Sequence, residues 1–271
     1  MFDYARTTAL VTGASSGLGA TFAEVLAARG ADLVLVARTA LTLETLAGRL
    51  QAAHGIRAHV IAADLTDPAA PAAIHAAVQA RGLRVNLLVN NAGFALGGAF
   101  LAHVVREEED QIAVNVTALT ALAHRFGRDM AARGPNAGII NIASNAAFQP
   151  LPYSAVYAAS KAYVLFFSQA LGRELRGSHG RQGPHVLAVC PGPVRTGFWD
   201  RLGSALPTDR MDTPDRIVGE ALTAFERRRA VLVPGRVGNR LQAFATRFMP
   251  RAAMIRIADR ASRQIMMAGR N

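Results

Sequence analysis

The chain has 271 residues, 51% of them hydrophobic, which is enough to bury a large core as one α/β domain, and no run reaches the roughly 18 uninterrupted apolar residues of a membrane span. A net charge of +11 comes from arginines spread along the whole length rather than gathered in one arm, and no zinc-finger spacing or series of stacking aromatics accompanies them, so nucleic-acid binding is not expected. One cysteine, Cys190, excludes an internal disulfide framework, seven scattered histidines at no ligand spacing argue against a metal site, and the absence of a signal-like start between Met1 and Thr12 leads to the expectation of a cytoplasmic protein.

Short β-rich apolar runs alternate with Ala- and Leu-rich helical patterns. The first run, "TALVT" from Thr8, leads directly into Gly13-Ala14-Ser15-Ser16-Gly17-Leu18-Gly19, which opens a helix that Gly30 closes. Three glycines here permit a tight turn and close approach of backbone N–H groups to a pyrophosphate at a helix N-terminus. Glycine clusters also serve ordinary turns; the place of this one after the first strand is what favours a nucleotide. The second run, "LVLVA" from Leu33, is followed by Arg38 and Thr39, and the third, "AHVIAA" from Ala58, by Asp64 and Leu65. Asp67-Pro68 opens a helix, and "VNLLVN" from Val85 ends in Asn90-Asn91-Ala92-Gly93. "GIINIA" from Gly138 runs to Ser144, "HVLAVC" from His185 runs into Pro191, Thr213-Pro214 opens another helix, and "AVLVPG" from Ala230 is the seventh strand. This alternation predicts a doubly wound, Rossmann-type α/β fold of three layers with a seven-stranded parallel sheet, in one domain over residues 1–271. Continuously apolar strands fit a sheet covered on both faces, and ligands in such a sheet bind beyond the carboxyl ends of the strands.

Lys161 is the only lysine among 30 cationic side chains, and it lies four residues after Tyr157, on the same face of a helix. A phenol with a pKa of about 10 is a poor acid or base near neutrality unless a cation stabilises its phenolate, and an ammonium one turn away supplies that charge. Its compact three-donor head also suits ribose hydroxyls better than a planar guanidinium would. No other tyrosine has a cation at this spacing.

The glycine loop, "NNAG" from Asn90, Asn115, Ser144, the Tyr157/Lys161 pair and "PGPVRT" from Pro191, in this order over roughly residues 7–235, resemble the short-chain dehydrogenases/reductases. The resemblance implies a nicotinamide cofactor held by Gly13, Ser15, Ser16, Gly17, Leu18 and Gly19 and, at the adenine, by Asp64 with Leu65 beside it. Asn91, Ala92 and Gly93 would line its path, Pro191, Gly192 and Val194 would lie near the nicotinamide, and Thr196 near a phosphate. Catalysis would fall to Tyr157 as general acid or base, with Lys161 as its cation and ribose ligand. Ser144 would donate to the substrate oxygen, and Asn115, expected mid-helix, would hold a water linked to Lys161. The substrate side would be lined by Phe94, Leu96, Phe148, Leu151, Tyr153, Phe198, Trp199 and Leu202, a largely apolar set that suits a hydrophobic carbonyl or alcohol. A mobile lid is expected over about residues 196–212. Cys190 reads as a small core residue rather than a nucleophile.

In a dinucleotide fold the end of the second strand faces the adenosine ribose, where a carboxylate favours the 2′-hydroxyl of NAD. Here Ala37 is followed by Arg38, with Asp32 before the strand and Glu44 on the next helix. A guanidinium can pair a 2′-phosphate bidentately, and Ser15 and Thr39 add hydroxyls, so NADP(H) is the expected cofactor. A catalytically silent dinucleotide-binding sensor or scaffold is the alternative, although such a protein would be expected to lose Tyr157, Lys161 or Ser144. A serine hydrolase is disfavoured because no His–acid pair accompanies a nucleophile elbow.

Beyond Gly235, Leu241, Phe244, Ala245, Phe248 and Met249 recur at helical spacing among Arg236, Arg240, Arg247, Arg251, Arg256, Arg260 and Arg263. Residues 236–271 are expected to form a basic amphipathic extension packed on the core or on a neighbouring subunit; an anionic membrane surface is the alternative. The apolar run from Val164 to Phe167, on an element through which the family commonly dimerises, leads to the expectation of a homodimer or homotetramer.

Overall fold

The computed structural model describes residues 2–134, 136–180, 183–202 and 208–267. Seven strands form one sheet, all parallel: β1 (Thr8–Thr12), β2 (Asp32–Ala37), β3 (Ala58–Ala62), β4 (Val85–Asn90), β5 (Gly138–Ile142), β6 (His185–Val189) and β7 (Val231–Leu232), in the order β3-β2-β1-β4-β5-β6-β7. Each falls on an expected run; β7 is the shortest, because it pairs with β6 only through Val231 and Leu232.

Side-chain alternation splits the core in two. Ala9, Val11, Leu33, Leu35, Leu87, Val89 and Ile140 face one side, where they meet Phe22 and Leu26 of α1 (Gly17–Ala28), Leu43 and Leu50 of α2 (Ala40–His54), and Phe225 of α8 (Pro214–Glu226). Leu10, Val34, Val36, Leu88 and Ile139 face the other side. There they meet Ile74 and Val78 of α3 (Ala70–Ala80) and Leu122 and Phe126 of α5 (Leu119–Ala131). The third helix on that side, α6 (Ala155–His179), adds Val164 and Leu165, packed on Ala188 and Cys190 of the β6 region. Phe22 and Phe126 are completely or almost completely buried, each contributing about 1.5–3 kcal/mol on burial.

Helix boundaries follow local chemistry. Gly30 at φ +84 and Gly55 at φ +68 take the left-handed conformations that end α1 and α2. Asp67 Oδ1 accepts the Ala69 N–H at 2.8 Å, so the Asp67-Pro68 turn precedes α3 rather than forming its first turn. Between α4 (Val105–Ile112) and α5 the backbone is π-helical over Ala113–Ala118. Asn115 therefore sits in a π-helical turn, where sequence pattern suggested an uninterrupted helix; such turns recur at functional sites.

The chain reaches one edge at β3 and returns to place β4 beside β1. After β1 and after β4 the chain leads to helices on opposite faces of the sheet, so a crevice opens there at the carboxyl ends of the strands. The expected lid contains α7 (Phe198–Leu202), and at its base the Asp212 backbone accepts the Arg195 N–H and donates to Pro193 O; residues 203–207 of that span lie outside the described residues. In the extension, α10 (Arg251–Met267) buries Met254, Ala258 and Ser262, whereas α9 (Val237–Ala245) buries Ala243 and leaves Leu241 and Phe244 exposed, as is Phe248 after it. These three side chains do not cover the core of their own chain, because the helix turns Ala243 inward in their place. No helix among the described residues is long and apolar enough to cross a membrane, and these residues hold no cluster of three metal-ligating side chains.

Candidate active site

A cavity of about 740 Å³ lies over the carboxyl ends of the strands. Arg38 and Thr39, after β2, and Asp64, Leu65 and Thr66, after β3, line one end. Gly13, Ser15, Ser16, Gly17 and Leu18, with Asn91, Ala92 and Gly93, line the middle. Ser144, Tyr157 and Lys161, with Pro191, Gly192, Val194 and Thr196, line the other end.

The glycine loop is shaped by close approach. Gly13 and Gly17 have φ of +66 and +55, conformations strained for any other residue. A Cβ at Gly13 would lie 3.0 Å from Ala92 Cα, and one at Gly17 would lie 3.2 Å from Thr196 Cβ, so three loops meet here with no spare room. Gly19 is the one member of the expected cofactor-binding set that does not line the cavity. It is buried in the first turn of α1, where a Cβ would collide with the Gly13 carbonyl oxygen. Asn91 lines the groove, but its side chain works within the protein: Nδ2 donates to Thr12 O at 2.9 Å and Gly13 O at 3.3 Å. Thr12 Oγ1 accepts the N–H groups of both Asn91 and Ala92 at 3.0 Å, locking the β1 and β4 loops together. Asp64 Oδ1 accepts from the N–H and hydroxyl of Thr66, each at 3.0 Å. Arg38 is exposed and has neither an ion pair nor a side-chain hydrogen bond with any described residue.

At the other end, α6 carries Tyr157 and Lys161 on one face, and Lys161 Nζ lies 5.7 Å from the centre of the Tyr157 ring. Nζ donates to Ile142 O at 2.8 Å, at the carboxyl end of β5, where the next turn brings Ser144. Ser144 Oγ accepts the Ala146 N–H at 3.1 Å and so caps the short turn Asn145–Phe148. Gly93 completes the corner: a Cβ there would stand 2.9 Å from Asn115 Oδ1 and 3.3 Å from Lys161 Nζ. Burial pushes the Tyr157 phenol up to about 12, with hydrogen bonding to Ser144 acting in the opposite direction. Burial also pulls the Lys161 ammonium down to about 8, the nearby Cys190 thiol opposing it. Cys190 is fully enclosed, and burial raises its thiol to about 12, which suits a core residue.

Asn115 does not line the cavity. Its Oδ1 accepts the Phe94 N–H at 3.1 Å, and Nδ2 donates to Phe94 O at 2.9 Å and to Ser160 Oγ at 3.1 Å, so its side chain fixes the β4 loop against α6. Of the expected substrate side chains, Phe94, Leu151, Phe198, Trp199 and Leu202 line the cavity, and Phe198 packs on Tyr157 at 5.7 Å between ring centres. Leu96, Phe148 and Tyr153 lie outside it. Leu96 is engaged through its backbone with Gln111 and Ser154, Phe148 lines a separate cavity beside β7, and Tyr153 lies under Arg263 of α10, 5.3 Å from the guanidinium to the ring centre.

Two groups of residues were not legible in the sequence. Ser262 of α10 is buried and lines the cavity, although it lies more than a hundred residues beyond Tyr157 and carries no motif. A buried chain of amides runs across the sheet: Asn90 Nδ2 donates to Asn141 Oδ1 at 2.9 Å, Asn141 Nδ2 donates to Ser168 Oγ at 2.9 Å, and Ser168 donates to Val164 O. It ties β4 and β5 to α6 and so to the helix that carries Tyr157. The Asn residues in "VNLLVN" and "GIINIA" are polar interruptions of buried strands, which was the available signal.

The family profile described as short chain dehydrogenase matches residues 7–206. A sulfoacetaldehyde reductase of Chromohalobacter salexigens is 38% identical over 189 residues, 69% of this chain and 72% of that protein. A short-chain dehydrogenase from Sphingobium yanoikuyae, solved in complex with NADPH, is 39% identical, with a TM-score of 0.79 over 89% of this chain and 93% of that one. The bulky-bulky ketone specific alcohol dehydrogenase from Comamonas testosteroni is 34% identical, with a TM-score of 0.76 over 89% and 92% of the two chains. With its sheet order, its glycine loop and the wall of Ser144, Tyr157 and Lys161 on one cavity, the chain belongs to the short-chain dehydrogenase/reductase family of oxidoreductases.

Proposed function

We propose that the protein is an NADP(H)-dependent oxidoreductase acting on a hydrophobic carbonyl or the corresponding alcohol. The observation that carries this reading is one continuous cavity with Arg38, in no ion pair with a described residue, at one end and Ser144, Tyr157 and Lys161 at the other. The groove fits the cofactor: Gly13 and Gly17 hold a turn with space for backbone contact to a pyrophosphate, and Arg38 can pair a 2′-phosphate bidentately beside Thr39 and Ser15. In this reading Asp64 would take the adenine and Lys161 the ribose.

When bound, the nicotinamide supplies or accepts the hydride. Ser144 Oγ donates to the substrate oxygen as negative charge develops on it. In reduction Tyr157 gives its phenolic proton to that oxygen; in oxidation the phenolate takes the proton back. The phenolate so formed would be costly in this enclosed corner, and the Lys161 ammonium offsets the cost. Phe94, Leu151, Phe198, Trp199 and Leu202 keep water from the reacting carbon and select an apolar substrate. The Sphingobium yanoikuyae relative, solved with NADPH, supports the cofactor assignment, and the ketone-specific relative from Comamonas testosteroni supports the substrate class.

Fluorescence titration with NADPH and NADH tests the assignment. The unmodified protein should prefer NADPH, and Arg38→Ala should weaken NADPH by about 10–100-fold, the worth of a charge-assisted pair, while leaving NADH nearly unchanged. Ala37→Asp combined with Arg38→Ala should reverse the preference. Equal affinity of the unmodified protein for both nucleotides would contradict the role of Arg38.

A further inference from the structure

Helix α9 presents a surface that the oxidoreductase site does not use. It leaves β7 through a rigid corner: Gly235 has φ +84 and no room for a Cβ beside the Asp212 carboxylate. Asp212 Oδ2 accepts the Arg236 N–H at 3.2 Å, and Glu220 Oε2 accepts both the Gly235 N–H and Arg240, each at 3.1 Å. The inner side of α9 is seated by Ala243 and by Asn239, whose side chain fills the space a Cβ at Gly192 would need. The helix is therefore held in one orientation against the loop of residues 191–194.

Its outer side is apolar. Val237, Leu241 and Phe244, continued by Phe248 in the following turn, are 67%, 63%, 59% and 74% exposed. Spacings of four, three and four residues place them in one stripe, and the Phe244 and Phe248 rings touch, with centres 5.1 Å apart. Between α9 and β7 lies a cavity of about 310 Å³, with Phe148, Val231 and Phe244 in its wall and Arg229, Arg240 and Arg247 around it. From residue 236 to residue 258 there are five arginines and no aspartate or glutamate. The side chains of Arg247, Arg251 and Arg256 have no ion pair or hydrogen bond within the described chain.

A water-facing helix has no use for such a stripe, and a second copy of the chain is a poor occupant. A two-fold contact would set Arg247, Arg251 and Arg256, unpaired among the described residues, against their own copies. An apolar stripe with unopposed cations in the same stretch of chain is complementary to a bilayer with negatively charged headgroups. We propose that α9 and the turn after it dock in the plane of an anionic phospholipid surface, with Val237, Leu241, Phe244 and Phe248 among the acyl chains and Arg247, Arg251 and Arg256 on the headgroups.

Co-sedimentation of the full-length protein with vesicles tests this, comparing phosphatidylcholine alone with phosphatidylcholine containing phosphatidylglycerol. Binding is expected to the anionic vesicles only, and to be lost at high salt. Leu241→Ser/Phe244→Ser/Phe248→Ser should reduce it by about tenfold or more, with unchanged circular dichroism and NADPH affinity, so failure of docking is separable from failure of the cofactor reading. Arg247→Gln/Arg251→Gln/Arg256→Gln should also reduce it by about tenfold or more and flatten the salt dependence. Three outcomes overturn the proposal: no binding to anionic vesicles, equal binding to neutral ones, or serine variants that bind as the unmodified protein does. A sedimentation-velocity mass that falls in the serine variant, without vesicle binding, would assign the face to self-association instead.

Discussion

Burial draws the proton affinities of Tyr157 and Lys161 apart from their ordinary values in opposite directions, up to about 12 and down to about 8. Through the neutral range the phenol keeps its proton and the ammonium keeps its charge, which is the state carbonyl reduction requires. As pH rises through about 8, Lys161 loses its proton first, and with it goes the cation that in the proposed mechanism stabilises the phenolate. The kcat/KM for reduction should therefore be flat below about 8 and fall above it. Lys161→Arg should lack that falling limb, because a guanidinium does not titrate there, and should lose about 10²-fold or more in rate. A limb that persists unchanged in Lys161→Arg would remove Lys161 from this role. The spacing of the pair was legible in the sequence, and so was the unusual choice of lysine. Depth of burial was not, and it decides the direction of the phenol's shift: sequence reasoning had the cation lowering the Tyr157 pKa, whereas in the folded chain desolvation raises it. Ser262 could not be read at all, because only the path of α10 across the cavity gives it a place there.

At the scale of elements, the strands were readable because each is a short apolar run, those in the middle of the sheet buried on both faces and the edge strand β3 only partly covered, and the loops that matter follow their carboxyl ends. Helices were less so. The π-helical turn at Asn115 depends on its bonds to Phe94 and Ser160, partners 21 and 45 residues away. The exposed stripe of α9 has the periodicity of a packed helix, and periodicity alone does not say what covers it. Glycine positions carry stronger information. Gly19 has a negative φ but no space, since a Cβ would press on the Gly13 carbonyl at the turn that shapes the groove. Gly19→Ala is expected to cost about 1–3 kcal/mol in urea unfolding and to weaken NADPH binding at the same time, because relief requires the Gly13 turn to move. Wild-type stability with wild-type affinity would show that the turn is not rigid.

Across the whole molecule, the two ends of the sheet do different work. The carboxyl ends hold the cavity; at the amino end, His185 opens β6, its Nε2 donates to Arg229 O at 2.9 Å, and its ring lies 5.3 Å from that of Phe225. Burial, followed by the charge of Arg228, lowers this imidazole from its ordinary 6.5 to about 4, the Arg229 carbonyl opposing the shift. The folded chain thus keeps His185 neutral where the unfolded chain protonates it, and stability is lost as pH falls from 6.5 toward 4. The loss should reach about 3 kcal/mol, and His185→Gln, which retains a donor, should flatten it in urea titrations across that range. An unchanged acid slope would place the sensitivity elsewhere. The central claim is that this fold joins an NADP(H) groove to a proton-transferring tyrosine, and turnover tests it most directly. Purified protein and Tyr157→Phe are mixed with NADPH and a panel of hydrophobic ketones and aldehydes, and the absorbance of the reduced nicotinamide is followed. The unmodified protein should consume NADPH with at least one of these carbonyls, and Tyr157→Phe should bind NADPH equally well while losing about 10²–10⁴-fold in rate; NADPH binding without turnover across the panel, or full activity in Tyr157→Phe, would contradict it.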